Sequence, residues 1–252
     1  MSAHDSDTLR LDELLVARGC FASRSRARDA ILRGTVRVDG RAVEKPARMV
    51  AWNSDIIVDD PASRYVSRAA LKLIGGLDAF GIDPWGCRCL DIGASTGGFT
   101  QVLLERGAAH VVAVDVGHGQ IDAALAADPR VTSIEGVNAR ELDARIVGSG
   151  PFDVIVCDVS FISLKLALPP ALALAAPDAS GLFLVKPQFE AGRQAIGKGG
   201  MLRDASLGPA IAADLSDWLD TQPDWQARGT MPSPIVGADG NHEYLLAGRK
   251  HA

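Results

Sequence analysis

Cys89-Leu90-Asp91-Ile92-Gly93-Ala94-Ser95-Thr96-Gly97-Gly98-Phe99-Thr100 is the stretch on which the fold turns, because it reads as an apolar strand, a glycine-rich turn and the start of a helix. Glycine lets a ligand approach the backbone, and a helix N-terminus offers unpaired amide donors. Alone, such a turn serves a dinucleotide, a nucleotide or no ligand at all. Two acids narrow the choice. Asp91 stands in the turn, where it repels a pyrophosphate but suits the ammonium of an amino-acid ligand. Asp115 ends the next apolar run, where a carboxylate can accept from both ribose hydroxyls. Adenosine joined to a zwitterionic amino acid is S-adenosyl-L-methionine. Its cradle is then Asp91, Gly93, Ala94, Ser95, Thr96, Gly97, Gly98, Phe99, Asp115 and Val116. Asn138, after the third strand, either reaches the adenine edge or is ordinary loop polarity.

Outward from this turn, apolar runs recur at residues 89–92, 111–114, 131–134, 154–157, 182–185 and 244–247, with helical stretches between them. Strands alternating with helices imply an α/β fold with a doubly wound, mostly parallel, Rossmann-like sheet. The composition, 47% hydrophobic and 23% charged over 252 residues, is long enough for this domain plus a smaller one. The longest apolar run, residues 164–177, is broken by Lys165 and by Pro169-Pro170, and the start of the chain has no basic-then-apolar signal stretch. A soluble, cytoplasmic protein without a membrane span is expected. Cys20, Cys87, Cys89 and Cys157 are too few for a disulfide framework and lack a second pair to complete a metal site, so no metal is expected.

The net charge of −5 alone argues against a nucleic-acid partner, but its distribution argues for one. From Arg10 to Arg48 there are ten Lys/Arg against five Asp/Glu, a local +5 that leaves −10 on the rest of the chain. Leu11, Leu14 and Leu15 put a helix over residues 9–18, ended by Gly19, and Ser23 caps a second helix, Arg24 to Arg33, with Ala27, Ala30 and Ile31 inward. Val36, Val38 and Val43 around Asp39-Gly40 read as a hairpin, and residues 55–59 as another strand. Arg10, Arg24, Arg26, Arg28, Arg33, Arg37 and Arg41 are the candidate phosphate contacts. Residues 1–60 form this α+β module, 61–66 a polar linker, and 67–252 the catalytic domain. The module resembles the S4 (S-four) RNA-binding domain through Arg10-Leu11-Asp12, Ser23-Arg24-Ser25-Arg26-Ala27, Ile31 and Gly34-x-Val36-x-Val38-Asp39-Gly40.

Beyond the cofactor turn, Tyr65-Val66-Ser67-Arg68, Leu71-Lys72-Leu73, residues 114–120, Cys157-Asp158-Val159-Ser160-Phe161-Ile162-Ser163, Val185-Lys186-Pro187-Gln188-Phe189-Glu190 and Gly240-Asn241-His242-Glu243 follow in order. Together they resemble the TlyA family, which joins an S4 domain to an FtsJ-like methyltransferase acting on ribose 2′-oxygens of ribosomal RNA. The resemblance implies S-adenosylmethionine as cofactor, ribosomal RNA or ribosomal subunits as partner, and a catalytic tetrad at Lys72, Asp158, Lys186 and Glu243. Family members often carry the label hemolysin, yet nothing in this composition suggests a pore-former. Ala69-Ala70 stand where glycines are usual before the first lysine, which touches local packing alone. The chemistry gives the tetrad independent sense. A ribose hydroxyl must lose its proton as it attacks, and a neutral lysine near a second lysine can take it, with the two acids orienting both. Taken singly, each of the four is equally well a surface or strand-end charge.

Two other functions remain open to the sequence. A base methyltransferase would ordinarily show an Asn/Asp-Pro-Pro-aromatic turn or a nucleophilic cysteine, and here Asp158 leads into Val159-Ser160-Phe161 while Cys157 alternates away. A noncatalytic RNA-binding or assembly factor with a relict cofactor fold is the second. The glycine-rich, basic loop of residues 191–203 is either a lid over RNA or a mobile surface loop.

Overall fold

The computed structural model describes residues 8–148 and 150–251, so the reading of residues 1–7 as free of a signal stretch lies outside the described residues. The chain divides into two compact units, Met1–Arg64 and Tyr65–Ala252.

In chain order the first unit holds β1 (Thr8–Arg10), α1 (Leu11–Ala17), α2 (Arg24–Leu32), β2 (Val36–Val38), β3 (Arg41–Ala42), β4 (Met49–Ala51) and β5 (Ile56–Val58). Leu11, Leu14, Leu15, Ala27, Ala30, Ile31 and Val36 are fully buried in its core, as their helical and alternating spacing requires. Ser23 Oγ accepts from the Arg26 amide and caps α2. Asp39 and Gly40 both take positive φ, 49° and 75°, the two-residue turn that lets the hairpin of β2 and β3 twist correctly. The expected first helix starts two residues late. Leu9 and Arg10 belong instead to a strand that pairs with β4, Leu9 opposite Val50, and the amides of Leu11 and Asp12 bond Arg48 and Pro46 carbonyls. Leu9 lies off the 11/14/15 stripe, and a long-range strand partner took it.

The expected linker is also structured. Asp60 is a buried acid whose two oxygens accept from Arg33 at 2.7 and 3.1 Å, and Oδ1 accepts the Ala62 amide as well. Pro61–Arg64 then forms a 3-10 turn within the first unit, while Tyr65 is buried in the core of the second.

The second unit continues with α3 (Ala70–Phe80), β6 (Arg88–Ile92), α4 (Gly98–Glu105), β7 (His110–Asp115), α5 (Ala123–Ala126), β8 (Val131–Glu135), α6 (Ala144–Val147), β9 (Phe152–Cys157), α7 (Leu164–Ala173), β10 (Ala175–Val185), α8 (Pro187–Glu190), α9 (Gly208–Asp220), β11 (Trp225–Pro232) and β12 (Tyr244–Lys250). Its seven-stranded sheet runs β11-β12-β10-β9-β6-β7-β8. β10 through β8 are parallel, and β11 and β12 are antiparallel additions. Sequence reading missed β11, because Arg228, Gly229 and Pro232 hide its alternation. Each face of the sheet buries its own apolar cluster. α7 and α9 cover one around Leu90, Ile155 and Phe183, and α3 and α4 cover the other around Cys89, Val156 and Leu182.

From β6 the chain builds outward to β7 and β8, then returns to place β9 on the other side of β6. That reversal opens a crevice at the carboxyl ends of β6 and β9, the usual ligand position in such sheets. Among the described residues no helix is long and apolar enough to cross a membrane.

Losing Asp60 removes the bidentate partner of Arg33, which keeps Asp29, and leaves the Ala62 amide without its acceptor. Asp60→Ala is therefore expected to destabilise the first unit by about 2 kcal/mol. Hydrogen exchange on the full chain, resolved to residues 8–64, reads it; unchanged protection of α2 would contradict it.

Candidate active site

The loop after β6 is built on positive backbone angles, with Gly93 at φ 80°, Ser95 at 48° and Gly97 at 97°. A Cβ at Gly93 would stand 2.5 Å from the Asp158 carbonyl oxygen, and one at Gly97 would collide with the Leu125 side chain. The glycines thus first make room for the protein itself, pinning the loop after β6 against the loop after β9. Asp115, at the end of β7, accepts the Ser95 amide on Oδ2 at 2.8 Å and the Gly117 amide on Oδ1 at 2.7 Å. Each oxygen keeps a further acceptor direction. Asp115 lines a cleft of about 410 Å³ with Val116, Asn138, Val159 and Ile162. Asn138 Oδ1 caps the turn Ala139–Glu141 by accepting the Arg140 amide, so this carbonyl serves the loop even though the residue borders the cleft.

Asp91 departs from its reading as a turn residue. It is the penultimate residue of β6, fully buried, and faces α4 together with Cys89. Its Oδ2 accepts from Thr100 Oγ1 at 2.6 Å, and its Oδ1 has no hydrogen-bond partner among the described residues. Burial, aided by the nearby Asp158 and Asp115 charges, pushes its carboxyl up to about 7. The adjoining cavity, about 220 Å³, is walled by Gly93, Ala94, Ser95, Thr96, Gly98 and Phe99. Asp91 lies behind that wall.

The four tetrad candidates converge. Lys72, on α3, is buried and donates to Glu243 Oε2 at 2.5 Å. Lys186, one residue past β10, lies 2.6 Å from Asp158 Oδ1, one residue past β9. That contact is a charge pairing outside hydrogen-bond angles. Lys186 Nζ also donates to Ser160 Oγ at 2.8 Å. Sheet topology explains the meeting: β12 is antiparallel to β10 with Tyr244 opposite Val185, so the residue entering β12 stands beside the residue leaving β10. Burial raises the Glu243 carboxyl, an effect opposed first by Lys72 and also by Lys186.

Lys72, Lys186, Glu243 and Ser160 line one cavity of about 300 Å³, with Gln188 and Phe161 in its wall. This cavity shares Ser67, Ala69, Ser160 and Lys186 with the 220 Å³ one, which in turn shares Gly93, Ser95, Asp158 and Ser160 with the cleft at Asp115. The three form a single trough. It has an apolar-walled cleft with the Asp115 carboxylate at its edge, a polar middle at the N-terminus of α4, and a lysine-lined end. Cys157 is fully buried with its thiol pushed upward by burial, which removes it as a nucleophile.

Sequence reasoning missed Ser160, Gln188 and Asn241. Asn241 is buried, accepts the Leu202 amide at 2.9 Å, and donates to Asp239 at 2.7 Å and to the Gly200 carbonyl at 3.1 Å. It tethers the loop of residues 191–203, which closes on itself through an Ile196–Leu202 bridge. The signal was its place beside Glu243 in Gly240-Asn241-His242-Glu243.

In the first unit the arginines divide. Arg10 and Arg24 both pair with the buried Asp12, at 3.0 and 3.1 Å, and Arg33 is held by Asp29 and Asp60. Arg26 is half-buried, with its guanidinium 3.4 Å from the Ala62 carbonyl. Arg28, Arg37 and Arg41 are exposed and, among the described residues, make no ion pair. No group of three or more metal-ligating side chains occurs among the described residues.

Comparison with known proteins accords with this geometry. Residues 65–250 match the FtsJ-like methyltransferase family and residues 9–57 match the S4 domain. The 16S/23S rRNA (cytidine-2′-O)-methyltransferase TlyA of Mycobacterium tuberculosis is 46% identical over 238 residues, 94% of this chain and 88% of that protein. A solved structure from Streptococcus thermophilus, provisionally named a hemolysin, is 36% identical and superposes with a TM-score of 0.74, covering 97% of this chain and 89% of that one. An O-methyltransferase from Bacillus cereus in complex with SAH shares the fold, at a TM-score of 0.51 and 18% identity over 73% of this chain and 82% of that one.

A carboxyl raised from the usual range to about 7 binds a proton in the fold that the unfolded chain has released, so stability falls as pH rises between those two values. Asp91→Asn should abolish that fall. Relative to the parent it should gain stability from pH 5 to pH 8, by about 2.6 kcal/mol at most. Parallel pH profiles of thermal unfolding for the two proteins would show that Asp91 does not titrate as described.

Proposed function

The chain belongs to the TlyA family of S4-bearing, FtsJ-like methyltransferases, and from that premise we propose that it transfers a methyl group from S-adenosylmethionine to a ribose 2′-hydroxyl of ribosomal RNA in the cytoplasm. The observation that carries the reading is the convergence of Lys72, Glu243, Asp158 and Lys186 on one trough that runs on to the Asp115 cleft. Bound S-adenosylmethionine supplies a methyl group on a sulfonium, which departs as a neutral thioether.

The protein's residues do the rest. Asp115 would accept the cofactor's ribose hydroxyls, while Val116, Val159 and Ile162 would enclose its base, with Asn138 at the rim. Gly93 to Phe99 would hold the amino-acid end against the amides of α4, and Asp91, when ionised, would supply compensating negative charge from the end of β6. Lys186 takes the proton from the attacking hydroxyl, and Asp158 balances the ammonium so formed. Lys72, neutralised by Glu243, fixes the substrate's position from the opposite wall. The buried, unreactive Cys157 speaks against a carbon-methylating route. In the S4 unit, Arg28, Arg37 and Arg41 are the side chains left for phosphates, with Arg10, Arg24 and Arg26 contributing where their internal partners leave an N–H outward. Arg33, held on both sides, is a strut.

Lys186→Ala is expected to cut turnover about a hundredfold or more while S-adenosylmethionine affinity persists, and Lys186→Arg should not rescue it because guanidinium stays protonated. Labelled S-adenosylmethionine with ribosomal subunits from cells lacking the gene provides the assay; methyl transfer to a 2′-deoxy target would exclude the ribose reading. Replacing Arg28, Arg37 and Arg41 by Ala should weaken RNA binding and flatten its dependence on log salt by about three in slope. An unchanged slope would move the RNA surface elsewhere.

A further inference from the structure

We infer that Ser160, outside the Lys-Asp-Lys-Glu tetrad, is a positioning residue that sets the direction of the Lys186 lone pair. The inference rests on the reading of Lys186 as the proton acceptor. Ser160 occupies a singular place, since it lines all three parts of the trough: the Asp115 cleft, the middle cavity and the lysine-lined end. Its hydroxyl makes one hydrogen bond among the described residues, accepting from Lys186 Nζ at 2.8 Å. Ser163, three residues on, shows what a structural serine in this loop does. It caps α7 and donates to Glu190 at 2.6 Å. Ser160 caps no helix, and its side chain is given to the lysine.

An amine nitrogen is tetrahedral, so beyond Cε it has three directions. In Lys186 one points to Ser160 Oγ at 2.8 Å, while Asp158 Oδ1, 2.6 Å away but outside hydrogen-bond angles, draws the positive end of the amine to its side by charge. The neutral amine has two N–H groups and one lone pair. With both acceptors present, the two N–H groups are drawn to them and the lone pair is left on the third direction. With Asp158 alone, its charge favours one side but no hydrogen bond fixes the amine, and the lone pair has two places to lie. In one of these an N–H faces the substrate hydroxyl, which is the wrong polarity for accepting a proton. During transfer the hydroxyl oxygen bonds the methyl carbon, the C–S bond breaks with its pair left on sulfur, and the proton passes to Nζ. The resulting ammonium has three N–H groups, one already accepted by Ser160, and its charge is balanced by Asp158, so the amine need not rotate during the step.

The test compares Ser160→Val with Ser160→Thr, near-isosteres that differ in the hydroxyl. Full-length protein, labelled S-adenosylmethionine and ribosomal subunits from cells lacking the gene are used under single-turnover conditions. Ser160→Val should slow transfer about tenfold, the scale of one hydrogen bond, with cofactor Kd and subunit KM within about a factor of two. Ser160→Thr should be several-fold faster than Ser160→Val. In the Lys186→Ala background, Ser160→Val should cost nothing further, because the group it positions is gone. Equal rates for the Val and Thr proteins, a loss confined to Kd or KM, or a full additional loss in the Lys186→Ala background would each overturn the inference. Failure of the underlying reading is seen separately, as near-normal transfer by Lys186→Ala itself.

Discussion

Lys72 and Glu243 meet as a buried ion pair, and the second unit is organised so that this meeting can happen. Neither charge tolerates the interior alone, since stripping water from a carboxylate or an ammonium costs several kcal/mol. The pair is satisfied because α3 packs against the same face of the sheet that ends in β12, through Leu73, Leu77, Leu182 and Leu245. A helix that precedes the first parallel strand is thereby fixed to the seventh strand of the sheet to be made in sequence. The crevice between β6 and β9 inherits its far wall from that junction, and Lys186 with Asp158 completes it from the intervening strands.

Much of this was legible beforehand because the signals were local. A strand, a positive-φ turn and a helix leave their mark in twelve consecutive residues, and the parallel strands reveal themselves as short apolar runs. The tetrad could be named through the resemblance, and the ends of β9 and β10 independently marked Asp158 and Lys186 as facing a crevice. What escaped depended on distant partners. Leu9 joined a strand because Val50 waits forty residues away, and Asp60 became a tie because α2 brings Arg33 to it. Asp91 was assigned to the turn by its neighbours Ile92-Gly93, although strand alternation turns it into the helix-covered face. Ser160 was unreadable for a similar reason, because one polar side chain in a loop looks like any other until its acceptor or donor is known, and Asn241 showed only through its place beside Glu243.

The basic module shows how a surplus of charge is apportioned. Three of its arginines are committed to acids of the same unit, and these pairs join α1 to α2 and α2 to the 3-10 turn that closes the unit. A count of Lys and Arg therefore overstates the surface offered to a polyanion. Arg28, on α2, and Arg37 and Arg41, on the hairpin, stay exposed, as do Lys45 and Arg48 beyond it. The division also gives shape to the electrostatics, since internally paired arginines hold the backbone on which the free ones are displayed.

The antiparallel placement of β12 has a consequence for how the enzyme comes into being on the ribosome. Glu243 arrives after every other member of its cluster has been synthesised, and it is seated only when residues 244–250 add to β10. A nascent chain that has already made the cofactor loop, the middle strands and both lysines still has Lys72 without its counter-charge and the substrate end of the trough without its wall. On the roles proposed for the tetrad, methyl transfer waits on the synthesis of residues 243–250. A message broken shortly before codon 243 yields the parallel strands without the Lys72–Glu243 pair.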